Sequence, residues 1–160
     1  MTAYFSTKDV NIYYQYTYDS NLDKPYLVCI HGFLSSSYCY RKFHDYLKEQ
    51  FHVLSIDLPP FGKSSKNDFI SHSYNQMVDW IFQLLEHLSI PSCYVVGHSM
   101  GGQVALRFTK RFSERVLYLF LLAPSAFMEK SAFLVRILSL STKAPSALKL
   151  FLKQKGVREI

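Results

Sequence analysis

Cys93-Tyr94-Val95-Val96-Gly97-His98-Ser99-Met100-Gly101-Gly102 is the stretch on which the reading of this chain turns. Cys93 to Val96 is a short apolar run of the kind that forms a strand buried on both faces. Gly97 begins a tight turn, and Gln103 to Arg111 reads as a helix with Val104, Phe108 and Phe112 turned inward. The residues between spell G-x-S-x-G. Such a short pattern arises often by chance, but here a strand precedes it and an apolar-periodic helix follows. In that setting it places a serine on a strained strand-to-helix turn, with small neighbours that let backbones pass close. A serine hydroxyl is a poor nucleophile at neutral pH and needs a positioned base. Ser99 is therefore the candidate nucleophile, and the helix that follows points an N-terminus at it, which favours negative charge there.

Working outward, extended and helical segments alternate. Val10 to Tyr18, Tyr26 to Ile30, Phe51 to Ile56 and Val116 to Leu122 read as strands. Ser35 to Ser37 can start a helix carrying Tyr40, Phe43 and Leu47 on one side. Tyr74, Met77, Val78, Ile81, Leu84, Leu85 and Leu88 form the clearest apolar stripe, with Ser73 as N-cap and Pro91 at the exit. Two more helical stretches are expected near Ala126 to Leu140 and Ser146 to Lys155. Strand-helix alternation with short links predicts an α/β fold with a doubly wound, mostly parallel sheet and right-handed crossovers. Ligands in such sheets bind beyond the carboxyl ends of the strands.

Two further motifs follow strands. His31-Gly32-Phe33 comes after Leu27 to Ile30. Attack on an acyl carbon calls for two backbone N–H groups aimed at the developing oxyanion. Met100, after the serine, would give one, and Phe33 the other. His31, Gly32 and His98 are placed on the substrate-binding side of the site. His31 is read as holding its loop rather than acting as a base, and His98 as too close in sequence to serve Ser99. Asp57-Leu58-Pro59-Pro60-Phe61-Gly62-Lys63-Ser64 contains Gly-Lys-Ser, but a phosphate loop needs glycine at position 57, where Asp57 stands. Asp57 is read instead as bonding nearby backbone amides. His44, His52, His72 and His87 lack metal spacing and are expected at the surface or an interface.

These segments, in this order and with the strand ending Leu121-Leu122-Ala123-Pro124, resemble the α/β-hydrolase fold family, especially its small esterase and lipase-like members. The resemblance covers about residues 8–125 and is specific for fold, weakly so for substrate. It implies a serine hydrolase acting on a carboxylic ester or related acyl substrate, with Ser99 as nucleophile and Phe33 and Met100 as oxyanion donors. It also implies an acid and then a histidine later in the chain. Here the sequence departs from the family: no histidine follows His98, no aspartate follows Asp79, and the later acids are Glu114, Glu129 and Glu159. Pro60 stands where many members have glycine.

The expected organisation is therefore the N-terminal part of a hydrolase core over 1–125 and the start of a helical cap, or a frayed helical tail, over 126–160. The sheet would be truncated after its sixth strand. The strand Val116 to Leu122 would then be an edge with unpaired backbone groups, open to self-association. Three readings follow: a shortened hydrolase with weak or no turnover, a non-catalytic module that binds a ligand or partner, and a chain completed by a second one that supplies the missing strands and histidine.

Bulk properties narrow the partners. With 49% hydrophobic and 19% charged residues, the 160-residue chain has the material for one packed domain. The net charge of +6 is concentrated in 129–160, where seven Lys or Arg face two acids. That run reads as a solvated helical surface, since no aromatic interleaving or binding motif points to nucleic acid. Cys29, Cys39 and Cys93 form no C-x-x-C pair, so neither a disulfide frame nor a zinc site is expected, and a reducing, cytoplasmic setting fits. No apolar run is long enough to span a bilayer. No metal, nucleotide or other cofactor is implied.

Overall fold

The computed structural model describes residues 1–20, 23–68 and 70–124. Six strands form one mixed sheet: β1 (Thr2–Ser6), β2 (Asn11–Thr17), β3 (Tyr26–Ile30), β4 (His52–Ile56), β5 (Cys93–His98) and β6 (Val116–Leu122). Their spatial order is β1-β2-β4-β3-β5-β6. β1 and β2 pair antiparallel, as do β2 and β4, and the other pairings are parallel. The helices are α1 (Arg41–Leu47, entered through a 3-10 turn at Ser37–Tyr40), α2 (Tyr74–His87) and α3 (Met100–Arg111). The α/β, mostly parallel architecture is the one the sequence predicts.

The sheet is buried from both sides at its centre. β3 and β4 are continuous runs that place side chains on both faces, and Cys29, Ile30, Val53 and Leu54 have no exposed surface. α2 and α3 cover one face. Met77, Val78, Trp80, Ile81, Leu84 and Leu85 of α2 meet Val104, Ala105 and Phe108 of α3 over Val28, Ile30, Leu54 and Val95. Burying each such side chain contributes about 1.5–3 kcal/mol. α1 covers the other face less fully, with Tyr40, Phe43 and Leu47 packed on Leu27, Cys29, Val53 and Val96. α2 starts where Ser73 accepts the Gln76 N–H at 3.2 Å.

The chain leaves β3 towards β4 on one side and leaves β5 towards β6 on the other. Adjacent strands whose connections depart in opposite directions open a crevice at their carboxyl ends. In this sheet that switch point falls between β3 and β5, at the loop of His31 and the turn of Ser99.

Sequence and structure differ in places. β1 has no counterpart in the sequence reading. α3 begins at Met100 rather than Gln103, and β5 runs on to His98. His52 and His72 are 3% and 2% exposed, not surface residues. His52 packs between Tyr18 and Tyr26, and His72 lies edge-on to Trp80. The two helical stretches expected within 126–160, and the basic run there, lie outside the described residues.

Candidate active site

The turn after β5 has an unusual backbone. Ser99 takes φ 51° and ψ −116° between His98, the last residue of β5, and Met100, the first of α3. A residue with a side chain in that region carries strain of about 1–3 kcal/mol, held in place by its surroundings. Two bonds hold it: the Ser99 N–H donates to the Leu122 carbonyl at 3.0 Å, and its own carbonyl accepts the Gly102 N–H at 3.0 Å. The side chain is half-buried and His98 beside it is exposed, while Met100 is 3% exposed.

Left-handed backbone gathers at this end of the sheet. Leu34 after β3, Gly62 after β4, Ser99 after β5 and Ala123 after β6 all have positive φ. Four neighbouring strands thus turn sharply at their carboxyl edge, where strained residues commonly serve function.

The loop after β3 closes on the Ser99 turn. A Cβ at Gly32 would lie 3.0 Å from His98 Nδ1 and 3.2 Å from Ser99 Cβ. The structure therefore brings Gly32, His98 and Ser99 around one point, with Phe33 next in the loop and packed edge-on against Phe61. Behind them α3 presents the positive end of a twelve-residue helix.

His31 lies beneath this loop. It has no exposed surface. Its Nε2 accepts the Leu58 N–H at 2.9 Å, so the proton resides on Nδ1, which donates to the Gly32 carbonyl at 2.7 Å. Burial lowers its pKa and keeps the ring neutral, outweighing the opposing pull of the Gly32 carbonyl and Asp57. Both nitrogens are thus committed to backbone. That arrangement ties the loop after β3 to the loop after β4. Tyr40 supports the same loop, donating its hydroxyl to the Ile30 carbonyl at 3.0 Å. Burial pushes the Tyr40 phenol well above its ordinary range, so it stays a donor.

Asp57 organises the loop after β4. Its carboxylate accepts the Ser37 N–H at 2.5 Å and the Lys63 N–H at 2.7 Å. Ser64 donates its hydroxyl to the Asp57 carbonyl and accepts the Tyr13 N–H at 2.8 Å. The Gly-Lys-Ser piece is therefore folded around an aspartate, not around a phosphate.

Sequence reasoning missed one polar cluster. His44 on α1 bridges Thr17 Oγ1 at 2.7 Å and Ser55 Oγ at 2.8 Å, joining α1 to β2 and β4. A serine inside an apolar strand and a histidine on the apolar side of a helix are the signal that could have found it. Among the described residues no group of three or more His, Cys, Asp or Glu side chains is arranged to hold a metal ion. None of their helices is long and apolar enough to cross a membrane.

Comparison with known proteins points to one fold family. A family model described as alpha/beta hydrolase fold matches residues 25–152. The uncharacterized hydrolase YugF of Bacillus subtilis strain 168 is 35% identical over 127 residues, which is 79% of this chain and 46% of that protein. The 1-acylglycerol-3-phosphate O-acyltransferase of Arabidopsis thaliana is 31% identical over 116 residues, 69% of this chain and 28% of that protein. The chain spans less than half the length of either relative. Among solved structures, a bacterial membrane phospholipase A superposes with a TM-score of 0.76 at 23% identity, covering 98% of this chain and 58% of that one. This last likeness is one of fold.

Proposed function

The chain belongs to the α/β-hydrolase fold family, and from that premise we propose that it carries the nucleophile-bearing part of a serine hydrolase acting on a carboxylic ester or related acyl substrate. The observation that carries this reading is the strained Ser99 backbone at the head of α3, beside Gly32. A relative called a hydrolase supports hydrolysis, and a relative called an acyltransferase supports acyl chemistry.

In this reading Ser99 Oγ adds to the acyl carbon and loses its proton. The carbonyl oxygen becomes an oxyanion facing the Met100 and Phe33 N–H groups, with the α3 N-terminus behind. Collapse breaks the ester bond, and the departing alkoxide takes up the proton. Water then adds to the acyl-serine and releases the acid by the same steps. His31 does not serve as base, because both its nitrogens are engaged with backbone. The three free cysteines fit a reducing compartment such as the cytoplasm.

Hydrolysis of an aryl acetate by the 160-residue chain and by Ser99→Ala tests the reading. The expected result is a rate at least about tenfold lower for the variant, since no acyl-serine forms without the hydroxyl. Equal rates would remove Ser99 from the chemistry.

A second reading stands beside the first. Among the described residues no imidazole or carboxylate hydrogen-bonds the Ser99 hydroxyl. The alternative carried beside it is a module that binds an apolar ligand or a partner chain without turnover. Saturable binding of a short-chain ester that stays intact would select it.

A further inference from the structure

We propose that Tyr40 is a positioning residue for the Ser99 turn: its hydroxyl holds the Ile30 carbonyl and so sets how far the loop carrying Phe33 lies from the head of α3. This rests on the reading of Ser99 as nucleophile with Phe33 and Met100 as oxyanion donors. Tyr40 ends the 3-10 turn before α1 and is 3% exposed. Its hydroxyl donates to the Ile30 carbonyl at 3.0 Å, ten positions back in the chain. Ile30 is the last residue of β3. The bond therefore closes the loop at its foot, and Phe33 lies inside the closed span.

The Ile30 carbonyl is a meeting point. Ile30 pairs with Gly97 in the parallel ladder, two residues before Ser99. Tyr40 reaches it from the face of the sheet that α1 covers. Gly101 reaches it from α3, on the opposite face, where a Cβ would run into the Ile30 and His31 carbonyls. The end of β3 is thus held between a donor on one side and a helix start on the other. Burial keeps the phenol protonated, and its oxygen also faces the backbone N–H of His98, the residue before Ser99. Oxyanion donors work at about 2.7–3.1 Å from the developing charge. A small shift of the Ile30 peptide moves the Phe33 N–H relative to the Met100 N–H and spoils that distance.

Ring and hydroxyl have separate parts. The ring packs edge-on against Phe43 at 5.3 Å and joins Leu27, Cys29, Val53 and Val96 in one apolar cluster. Phenylalanine has the same ring and brings no polar atom into that cluster. A buried hydroxyl must find partners, and this one finds backbone at the point where the β3 and β5 chains part.

Tyr40→Phe removes the hydroxyl and keeps the ring. In aryl acetate hydrolysis by the 160-residue chain it lowers kcat about tenfold and leaves KM within about twofold, because the donors act on the oxyanion rather than on the bound ester. Its melt stays within about 5 °C of the wild type. Amide hydrogen exchange of the same variant rises about tenfold at His98 and Ser99 and stays unchanged at Trp80 and Ile81 in α2. Exchange needs no turnover, so the two ideas fail separately. If Ser99→Ala hydrolyses as fast as the wild type, the nucleophile reading falls and exchange alone decides for Tyr40. Unchanged exchange at His98 and Ser99 overturns the proposal. So does a wild-type kcat in Tyr40→Phe where Ser99→Ala is impaired, or a loss carried by KM. Faster exchange throughout α2, or a variant that does not fold, overturns it as well, because the hydroxyl would then hold the whole fold rather than the turn.

Discussion

The Nε2 of His31 accepts the backbone N–H of Leu58 at 2.9 Å, tying the loop after β3 to the loop after β4. One ring thereby satisfies a buried amide and, through Nδ1, pins the carbonyl of Gly32. The loop that meets Ser99 is held from below by a residue with no access to solvent.

Replacing that ring is therefore expected to act on stability first. His31→Ala leaves the Leu58 N–H buried without a partner, at about 1–3 kcal/mol, and adds a cavity. Urea unfolding followed by the fluorescence of Trp80, the single tryptophan and 1% exposed, measures it. An unchanged midpoint would show that the loop does not depend on His31.

Acid should weaken the fold by a related route. Burial lowers the pKa of His31, His44 and His72 below the ordinary 6.5. Between 6.5 and those lowered values the unfolded chain binds more protons than the folded one, so stability rises with pH through that window and falls as pH drops through it. Each histidine kept neutral adds at most about 1.4 kcal/mol per pH unit, and the partly solvated His44 adds less. Denaturation curves at pH 5.5 and 7.5 read this out. Equal stabilities would mean that these rings gain protons without opening the fold.

The Asp57 loop offers a sharper substitution. Gly62 sits at φ 58°, and a Cβ there would run into the Asp57 carboxylate. Gly62→Ala strains the backbone and pushes Asp57 off the Ser37 and Lys63 amides. The expected loss is at least about 2 kcal/mol. Thermal melts of the variant and of Asp57→Asn should both shift down; an unshifted Gly62→Ala melt would show that the turn rearranges freely.

Two residues after Ser99, Gly101 lies against the Ile30 and His31 carbonyls, where a Cβ has no room. Gly101→Ala forces α3 away from β3 and moves the Ser99 turn. A cost of about 1–3 kcal/mol is expected, as for other overpacked sites. In the aryl acetate assay this variant should fall with Ser99→Ala although its hydroxyl is intact. Wild-type rate and stability together would mean that the helix start tolerates a methyl group.

Period and context made much of this legible. The α2 stripe, the Ser73 cap and the β6 run stand in the structure where the sequence puts them, because each depends on local pattern. The head of α3 was not legible from propensity: Gly101 and Gly102 argue against helix, yet they are what lets α3 approach β3 and Pro124. β1 is short, and Thr2–Ser6 lacks a long alternating pattern of its own; it gains its order by pairing with β2. Buried His52 and His72 follow from aromatic partners distant in sequence, which no single-chain pattern reveals. The meeting of Gly32 with Ser99, 67 positions apart, rests on the crossing of connections at the sheet's centre rather than on either motif alone.

Among the described residues β6 hydrogen-bonds to one neighbour. A parallel strand in that position commits every second amide to its neighbour and turns the others outward. Deuterium uptake along residues 118–122, past the irregularity at the start of the strand, should therefore alternate, slow and fast, when that side is uncovered. Uniformly slow uptake is the isotopic signature of a covered border, and it reports on single residues of β6 without any substitution.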